Sequence, residues 1–211
     1  MSLKDIEAII FDLDGTLWNA TNVELKAIND VIKNEYNINL ITIEQLRNVM
    51  GVPLHGAAEI LFGKANKLQG IQILEKSGIL LENYLNNCHQ NLLYNKVKET
   101  LNALNTKYKL FIVSNCKKGY IETFLRTQKM INIFKDYECN GNTNLSKGDN
   151  IKLIINRNEI NKAIYVGDTT SDKEAANYAK IPFIYASYGF GIVTEYDYKL
   201  NNIEDLKIVF D

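Results

Sequence analysis

The stretch "IIFDLDGTLWNA", residues 9–20, places two aspartates directly after a short apolar run. Asp12 ends the run, and Asp14 follows two positions later, just before a Gly–Thr pair. The run has the length and composition of a buried strand, so both carboxylates are expected at its carboxyl end. Like charges this close repel each other, and burial raises their cost further. We therefore expect a cation or another compensating group nearby.

The composition is that of an ordinary globular protein of 211 residues, with 46% hydrophobic residues, 23% charged residues and a formal net charge of -1. There is no basic excess to attract nucleic acid, and no apolar run approaches the ~20 residues of a membrane helix. Cys88, Cys116 and Cys139 have no metal-binding spacing, which indicates free thiols in a reducing compartment. We expect a cytoplasmic monomer or weak homodimer that binds neither nucleic acid nor a membrane.

Short apolar runs alternate with helical periodicity along most of the chain. The predicted strands are residues 8–12, 109–115, 162–168 and 182–187. The predicted helices between them are residues 96–108, 119–130, 147–158 and 171–180. This alternation indicates an α/β fold with a Rossmann-like parallel sheet that is covered on both faces.

One long segment, residues 18–92, breaks the alternation because it contains no convincing strand. Its apolar residues recur at helical spacing, and glycine and proline separate the pieces. The predicted helices there are residues 22–36, 42–50, 54–62 and 71–88. The pattern predicts a helical block inserted straight after the first strand.

Polar side chains follow three of the predicted strands. Asp12, Ser114 and Asp168 each stand at or just past a strand end, where open α/β sheets bind their ligands. If those strands are neighbours, the side chains converge on one crevice. Carboxylate oxygens suit Mg²⁺, and a cation among Asp12, Asp14 and Asp168 would remove their repulsion and attract an anionic substrate.

Structural explanations compete with these functional ones. An isolated Asp-x-Asp-Gly is often a turn or a fragment of a calcium loop. Asp172 could complement the dipole of a helix start, and Ser171 has the spacing of a capping residue, which is the role we predict for it. Lys147 would lie in the first turn after an N-cap at Ser146, where a cation opposes the helix dipole. That placement indicates a nearby anion, although a solvated surface lysine is the alternative.

Taken in order, these pieces resemble the haloacid dehalogenase superfamily. Four motifs carry the resemblance: "DLDGTL" (12–17), "IVSN" (112–115), Lys147 and "VGDTTSD" (166–172). The helical block resembles the cap of the phosphoglycolate phosphatase-like branch, which implies a core at residues 1–17 and 93–211 and an inserted cap at residues 18–92. Two departures are Gly148, where many relatives have proline, and the Trp-Asn-Ala sequence after the first motif.

The resemblance implies a role for each motif carboxylate. Asp12 would be the nucleophile that forms an aspartyl-phosphate, and Asp14 would be the general acid and base. Mg²⁺ would be held by the carboxylates of Asp12 and Asp168 and by the backbone carbonyl of Asp14. Asp172 would act indirectly, by orienting metal-bound water or the motif lysine.

The resemblance also implies a phosphate-binding set. The Ser114 hydroxyl, the Asn115 backbone and the Lys147 ammonium would hold the oxygens of the transferring phosphoryl group. Positioning and charge neutralisation are what phosphoryl transfer mostly requires.

Four functions are compared. The first is a Mg²⁺-dependent phosphatase acting on a small phosphorylated metabolite, such as phosphoglycolate or a sugar phosphate. The second is a phosphomutase of the β-phosphoglucomutase type. Halide removal needs neither metal nor a second aspartate, so Asp14 argues against it. A binding module would tolerate the loss of motif residues, yet all are present. We predict the phosphatase, with a small phosphate ester as its partner, and keep the mutase as the alternative.

Overall fold

Six strands form one sheet in the computed structural model, which describes residues 5–209. The first four and last two residues of the predicted core lie outside the described residues. The strands are β1 (Ala8–Phe11), β2 (Lys109–Ser114), β3 (Asp136–Cys139), β4 (Ala163–Gly167), β5 (Phe183–Ala186) and β6 (Tyr198–Leu200).

The sheet has the order β3-β2-β1-β4-β5-β6, and every neighbouring pair is parallel. Phe11, the last residue of β1, pairs with Ile112 on one side and with Val166 on the other. The carboxyl ends of β1, β2 and β4 therefore meet at the same edge of the sheet. This arrangement confirms the predicted α/β class with a parallel, Rossmann-like core.

Helices pack against both faces of the sheet. The core helices are α5 (Val97–Leu104), α6 (Tyr120–Thr127), α7 (Asn140–Thr143), α8 (Lys147–Arg157), α9 (Thr170–Ala179) and α10 (Leu206–Val209). On one face, Ile151 of α8 and Ala176 of α9 join a buried cluster with Ile10 of β1. On the other face, the ring of Phe11 lies edge-on to that of Phe134, with centroids 6.4 Å apart. Burial on both faces explains why the central strands are continuous apolar runs.

The sequence prediction found the four central strands and missed β3 and β6. Both missed strands are at the edges of the sheet. The sequence of β3 is "DYEC" and that of β6 is "YKL", and each has only part of its residues buried. Neither strand is a continuous apolar run, so an apolar-run criterion cannot detect them.

The backbone divides into two compact units. One comprises the described residues up to Asn19 and from Leu92 onward, and the other is Ala20–Asn91. The second unit contains α1 (Thr21–Glu35), α2 (Ile43–Arg47), α3 (Leu54–Phe62) and α4 (Lys67–Asn86), with a 3₁₀ turn at Lys64–Asn66. Its core includes Ile28, Ile32 and Ile73, and it contains no strand. Its role as a cap stays a prediction.

Within residues 5–209, no helix has both the length and the apolar character needed to cross a membrane.

Candidate active site

Asp12 lies at the carboxyl end of the central strand β1. Its backbone N–H donates to the carbonyl of Val166 at 2.8 Å, so the β1–β4 ladder fixes the residue. The side chain is buried, with 4% of the residue exposed. One of its oxygens, Oδ1, accepts a hydrogen bond from Lys147 Nζ at 2.8 Å. Asp12, the first aspartate of the motif, is thus a buried carboxylate that is paired with a cation.

Lys147 is the first residue of α8 and is also buried. Ser146 caps the helix, because its hydroxyl accepts the N–H of Asp149 at 3.1 Å. The Lys147 ammonium lies 2.8 Å from Asp12 Oδ1 and 2.6 Å from Asp172 Oδ1. The anion expected near a first-turn lysine is therefore present as two carboxylates, and the alternative of a solvated surface lysine is wrong.

Asp172 is fully buried, and five donor groups lie within hydrogen-bond distance of its carboxylate. Lys147 Nζ at 2.6 Å and the Tyr165 hydroxyl at 3.3 Å contact Oδ1. The N–H of Asp168 at 3.2 Å contacts Oδ2, as do the N–H of Thr169 at 2.9 Å and its hydroxyl at 2.7 Å. This set of donors satisfies the carboxylate and fixes its orientation, which suits a positioning role better than metal ligation.

The start of α9 corrects one prediction. Thr169 is the N-cap, and it forms a reciprocal capping box with Asp172, so Ser171 lies inside the first turn and does not cap the helix. The pair Thr169–Asp172 was not considered as a cap in the prediction, although it has the same three-residue spacing as Ser171–Glu174. Lys147 donates to Oδ1 of Asp172, and the N–H of Thr169 donates to Oδ2 of the same carboxylate. Asp172 therefore belongs to a capping box and also contacts Lys147, and its functional role stays a prediction.

Asp168, at the carboxyl end of β4, is enclosed by backbone. Its Oδ2 accepts the N–H of Phe190 at 2.7 Å, and the Thr16 hydroxyl lies 3.4 Å from its Oδ1. A Cβ added to Gly15 would overlap with the Asp168 carboxylate, and one added to Gly189 would overlap with its side chain. Gly15 also has a φ of +88°, which L-residues rarely adopt. Only glycine allows the backbone to approach Asp168 this closely at these two positions.

The cluster carries more negative than positive charge. Three buried carboxylates, those of Asp12, Asp168 and Asp172, have ligand oxygens that all lie within 4.8 Å of one another. Among residues 5–209, Lys147 is the single ammonium bonded to them, so two negative charges stay uncompensated there if all three carboxylates are ionised. A divalent cation would supply the missing two charges with the ligand chemistry that Mg²⁺ prefers. The residues therefore fit a bound Mg²⁺ ion.

The electrostatics of the cluster follow from burial. Burial raises the pKa of Asp12 to about 6, while Lys147 pulls it down and Asp172 pushes it up. Burial also raises the pKa of Asp168 well above its usual range, and repulsion by Asp172 and Asp12 adds to the effect. Burial opposes the charge of Lys147, yet its two aspartate partners raise its pKa above the ordinary value. Without a metal, burial thus makes the ionised forms of Asp12 and Asp168 unfavourable.

Asp14 is placed differently from the other aspartates. It is partly buried, and its Oδ1 accepts a hydrogen bond from the hydroxyl of Tyr120 at 2.9 Å. Tyr120 is the first residue of α6. The two carboxylates of the opening motif therefore have different partners, a lysine for Asp12 and a tyrosine for Asp14.

Ser114 ends β2 and is buried, while Asn115 follows it in the loop and is partly exposed. Because β2 is the direct neighbour of β1, Ser114 lies at the same sheet edge as Asp12. The structure thus pairs Lys147 with Asp12 and Asp172, and it places a carboxylate oxygen of Asp168 within 4.8 Å of theirs. Ser114 lies at the end of the adjoining strand. Cys88, Cys116 and Cys139 are not in disulfides.

Three contacts at the site were missed from the sequence. The hydroxyl of Tyr165, in β4, donates to the carbonyl of Val113 at 2.7 Å and lies 3.3 Å from Asp172 Oδ1. The loop after β5 contributes the N–H of Phe190, and the hydroxyl of Tyr188 donates to the carbonyl of Thr16 at 2.9 Å. The strand-end rule, applied also to β5, would have identified that loop. No sequence signal indicated Tyr165 or Tyr120.

Comparison with known proteins agrees with this geometry. The family model described as haloacid dehalogenase-like hydrolase matches residues 9–186. A phosphoglycolate phosphatase of Aliivibrio fischeri is 25% identical over 202 residues, covering 89% of this chain and 86% of that protein. A phosphoglycolate phosphatase of Colwellia psychrerythraea is 26% identical over 209 residues, covering 90% and 88%.

Solved structures show the same fold. A haloacid dehalogenase-like family hydrolase from Streptococcus pneumoniae superposes with a TM-score of 0.84 at 20% identity, covering 98% of this chain and 99% of that one. A HAD-hydrolase from Bacillus subtilis, solved with bound magnesium, gives a TM-score of 0.74 at 17% identity, with 98% and 99% covered. The family model spans all four motifs, from the strand before Asp12 to the end of β5. The chain therefore belongs to the haloacid dehalogenase-like hydrolase family.

Proposed function

We propose that this hydrolase is a Mg²⁺-dependent phosphatase that cleaves a small phosphate monoester through an aspartyl-phosphate on Asp12. One observation carries the proposal: three buried carboxylates lie together where β1 and β4 end, and two of them, Asp12 and Asp172, pair with Lys147. Such a cluster suits a divalent cation together with a phosphoryl group, whose oxygens need several positive partners at once. The names of the two bacterial relatives support a phosphatase rather than a mutase.

Asp12 and Asp168 are proposed as the side-chain ligands of Mg²⁺, with the backbone carbonyl of Asp14 as a third ligand. Asp172 is assigned a positioning role because its carboxylate already receives four hydrogen bonds, from Lys147, from the N–H of Asp168 and from the N–H and hydroxyl of Thr169. When bound, Mg²⁺ would neutralise charge on the phosphoryl oxygens and keep the carboxylates ionised. Lys147 would add to the neutralisation through its contact with Asp12.

Asp12 is the proposed nucleophile. Its carboxylate oxygen would attack phosphorus, forming an O–P bond while the bond from phosphorus to the ester oxygen breaks. Lys147 holds Oδ1, so the attacking oxygen is assigned as Oδ2. Asp14 would give a proton to the departing alcohol, and it would then take a proton from the water that hydrolyses the aspartyl-phosphate. Ser114, Asn115 and Lys147 are the proposed contacts of the phosphoryl oxygens.

The substrate class is proposed as a small alkyl phosphate, with phosphoglycolate as the first compound to test. The proposal follows the two relatives named phosphoglycolate phosphatase, whose alignments each cover about nine-tenths of this chain. The helical unit Ala20–Asn91 is proposed to be the cap that contacts the leaving group.

The test measures inorganic phosphate released from phosphoglycolate and from a panel of sugar phosphates, in Mg²⁺ and in excess chelator. We expect release in Mg²⁺ only, and no transfer of phosphate to an added sugar. Asp12→Asn should abolish turnover and phosphoenzyme labelling. Asp5→Asn, which removes the charge of an exposed aspartate paired with Lys162 outside the proposed cap, is the control and should keep the wild-type rate.

Three results would contradict the proposal. They are full activity in chelator, turnover by the Asp12→Asn variant at the wild-type rate, and radiolabelled phosphate on any residue other than Asp12. Transfer of the label to a sugar in preference to water would establish the mutase alternative.

A further inference from the structure

Tyr120 reaches Asp14 from a distant part of the chain. The tyrosine hydroxyl donates to Asp14 Oδ1 at 2.9 Å, although the two residues are 106 positions apart. Tyr120 begins α6, directly after Gly119, whose φ of +87° sets the turn into the helix. The contact is therefore made by a regular element of the core and is not a chance approach of two surface side chains.

One tryptophan fixes both ends of this hydrogen bond. Trp18 is fully buried, and its ring lies edge-on to that of Tyr120 with centroids 5.4 Å apart. Its ring also contacts Phe124, four residues further along α6, at 5.1 Å. Its backbone forms an isolated bridge with Asp14, and its carbonyl accepts the N–H of Gly15 at 3.0 Å. The phenol and the carboxylate are thus both anchored to Trp18.

We propose that Tyr120 is a positioning residue that holds the Asp14 carboxylate in the orientation required for proton exchange with the leaving group. This inference rests on the proposed function, in which Asp14 is the general acid and base. In this proposal the Tyr120 hydroxyl acts on the reaction through the Asp14 carboxylate and not by touching the substrate.

The size of the effect follows from the hydrogen bond. A hydrogen bond to a charged group is stronger than one between neutral groups, so a carboxylate released from it has a strongly reduced population of the productive orientation. Proton transfer matters most when the leaving group is basic, as an alkoxide is, and least when it is a stabilised phenolate. The leaving group therefore distinguishes a positioning role from a general loss of structure.

The test compares Tyr120→Phe with the wild type on phosphoglycolate and on 4-nitrophenyl phosphate. We expect kcat/KM for phosphoglycolate to fall at least about tenfold, through kcat, and that for the aryl ester to change less than about twofold. Tyr178→Phe is the matched control, because the half-exposed Tyr178 also hydrogen-bonds to an aspartate, Asp149, outside the proposed cap. It should leave both substrates unchanged. Equal losses on the two esters, or no loss on either, would overturn the proposal.

A double-mutant comparison tests the assigned route. In an Asp14→Asn background, Tyr120→Phe should cause no further loss on phosphoglycolate, because the group it positions is already inactive. A further loss of about tenfold would show that Tyr120 acts independently of Asp14 and would refute the inference.

The same experiments separate this inference from the proposed function. If Asp14→Asn slows phosphoglycolate far more than the aryl ester while Tyr120→Phe does not, the acid–base role stands and the positioning role of Tyr120 fails. If Asp14→Asn shows no dependence on the leaving group, both assignments fail together.

Discussion

Replacing Lys147 by methionine tests whether the buried cluster is held together by this single ammonium. Its Nζ lies 2.8 Å from Asp12 and 2.6 Å from Asp172, and all three residues are at most 4% exposed. Methionine has a similar length but no charge, so two buried carboxylates lose their cation at once. Breaking a buried pair in this way costs about 3–5 kcal/mol. We expect the free energy of unfolding of the metal-free protein to fall by about that amount at pH 7.5.

The loss of stability in Lys147→Met should depend on pH, because Asp12 without its lysine partner can become neutral by binding a proton. The pKa of Asp12 is about 6 with Lys147 present, against an ordinary value of 3.8, and Lys147 is among the groups that lower it. Without the lysine, the folded-state pKa rises further. The unfavourable contribution of ionised Asp12 is then complete above the folded-state pKa and disappears as the pH falls towards 4. The difference between variant and wild type should therefore be smaller at pH 5 than at pH 7.5.

Urea denaturation in excess chelator, at pH 7.5 and at pH 5, measures this difference. The matched control is Lys162→Met, since Lys162 pairs with Asp5 at 2.9 Å but both side chains are about half exposed or more. An exposed pair contributes about 0–1 kcal/mol, so this variant should stay near the wild type at both pH values. A Lys147→Met loss no larger than that of Lys162→Met, or an equal loss at both pH values, would refute the reasoning.

Three further predictions concern the metal and the glycines around it. Asp168→Asn should weaken Mg²⁺ binding at least about tenfold in calorimetry, because a charged ligand becomes neutral, and unchanged affinity would contradict the ligand assignment. The Mg²⁺-induced rise in Tm should grow from pH 5 to pH 7.5, because protons compete for Asp12 and Asp168, whose pKa values are raised by burial; a rise independent of pH would count against these ligands. Gly15→Ala should lower Tm and Mg²⁺ affinity, because its Cβ would overlap with Asp168, whereas Gly63→Ala, at a similar φ of +82° but in open space, should lower Tm alone. Equal Mg²⁺ affinity in the two glycine variants would show that the overlap is relieved without disturbing Asp168.

The central sheet could be predicted because its strands are buried on both faces. The segments that become β1, β2, β4 and β5 are continuous apolar runs. Such a run can be recognised in the sequence without knowing which strands it pairs with. The edge strands lack that signal. In β3, Asp136 and Glu138 pair with Arg157 of α8, so their place in the fold depends on a tertiary contact that no local pattern encodes.

The carboxylates and the lysine of the site could be predicted for a related reason. Parallel strands bring their carboxyl ends to one edge, so residues that follow different strands become neighbours whatever their sequence separation. Lys147 was recognisable because a cation in a first helical turn is electrostatically misplaced unless an anion is near. Tyr120 gave no such signal, because a tyrosine at a helix start is unremarkable until the partner of its hydroxyl is known.

Asp172 shows why local and functional interpretations of one residue need not compete. As the third residue of α9 it accepts the N–H of Thr169 and stabilises the helix start, a purely local interaction. The same carboxylate binds Lys147 through its other oxygen, 25 positions away in the sequence. The capping bonds fix the side-chain orientation that the lysine requires, so the helix start and the charge cluster stabilise each other. An Asp172→Asn substitution would therefore affect both at once.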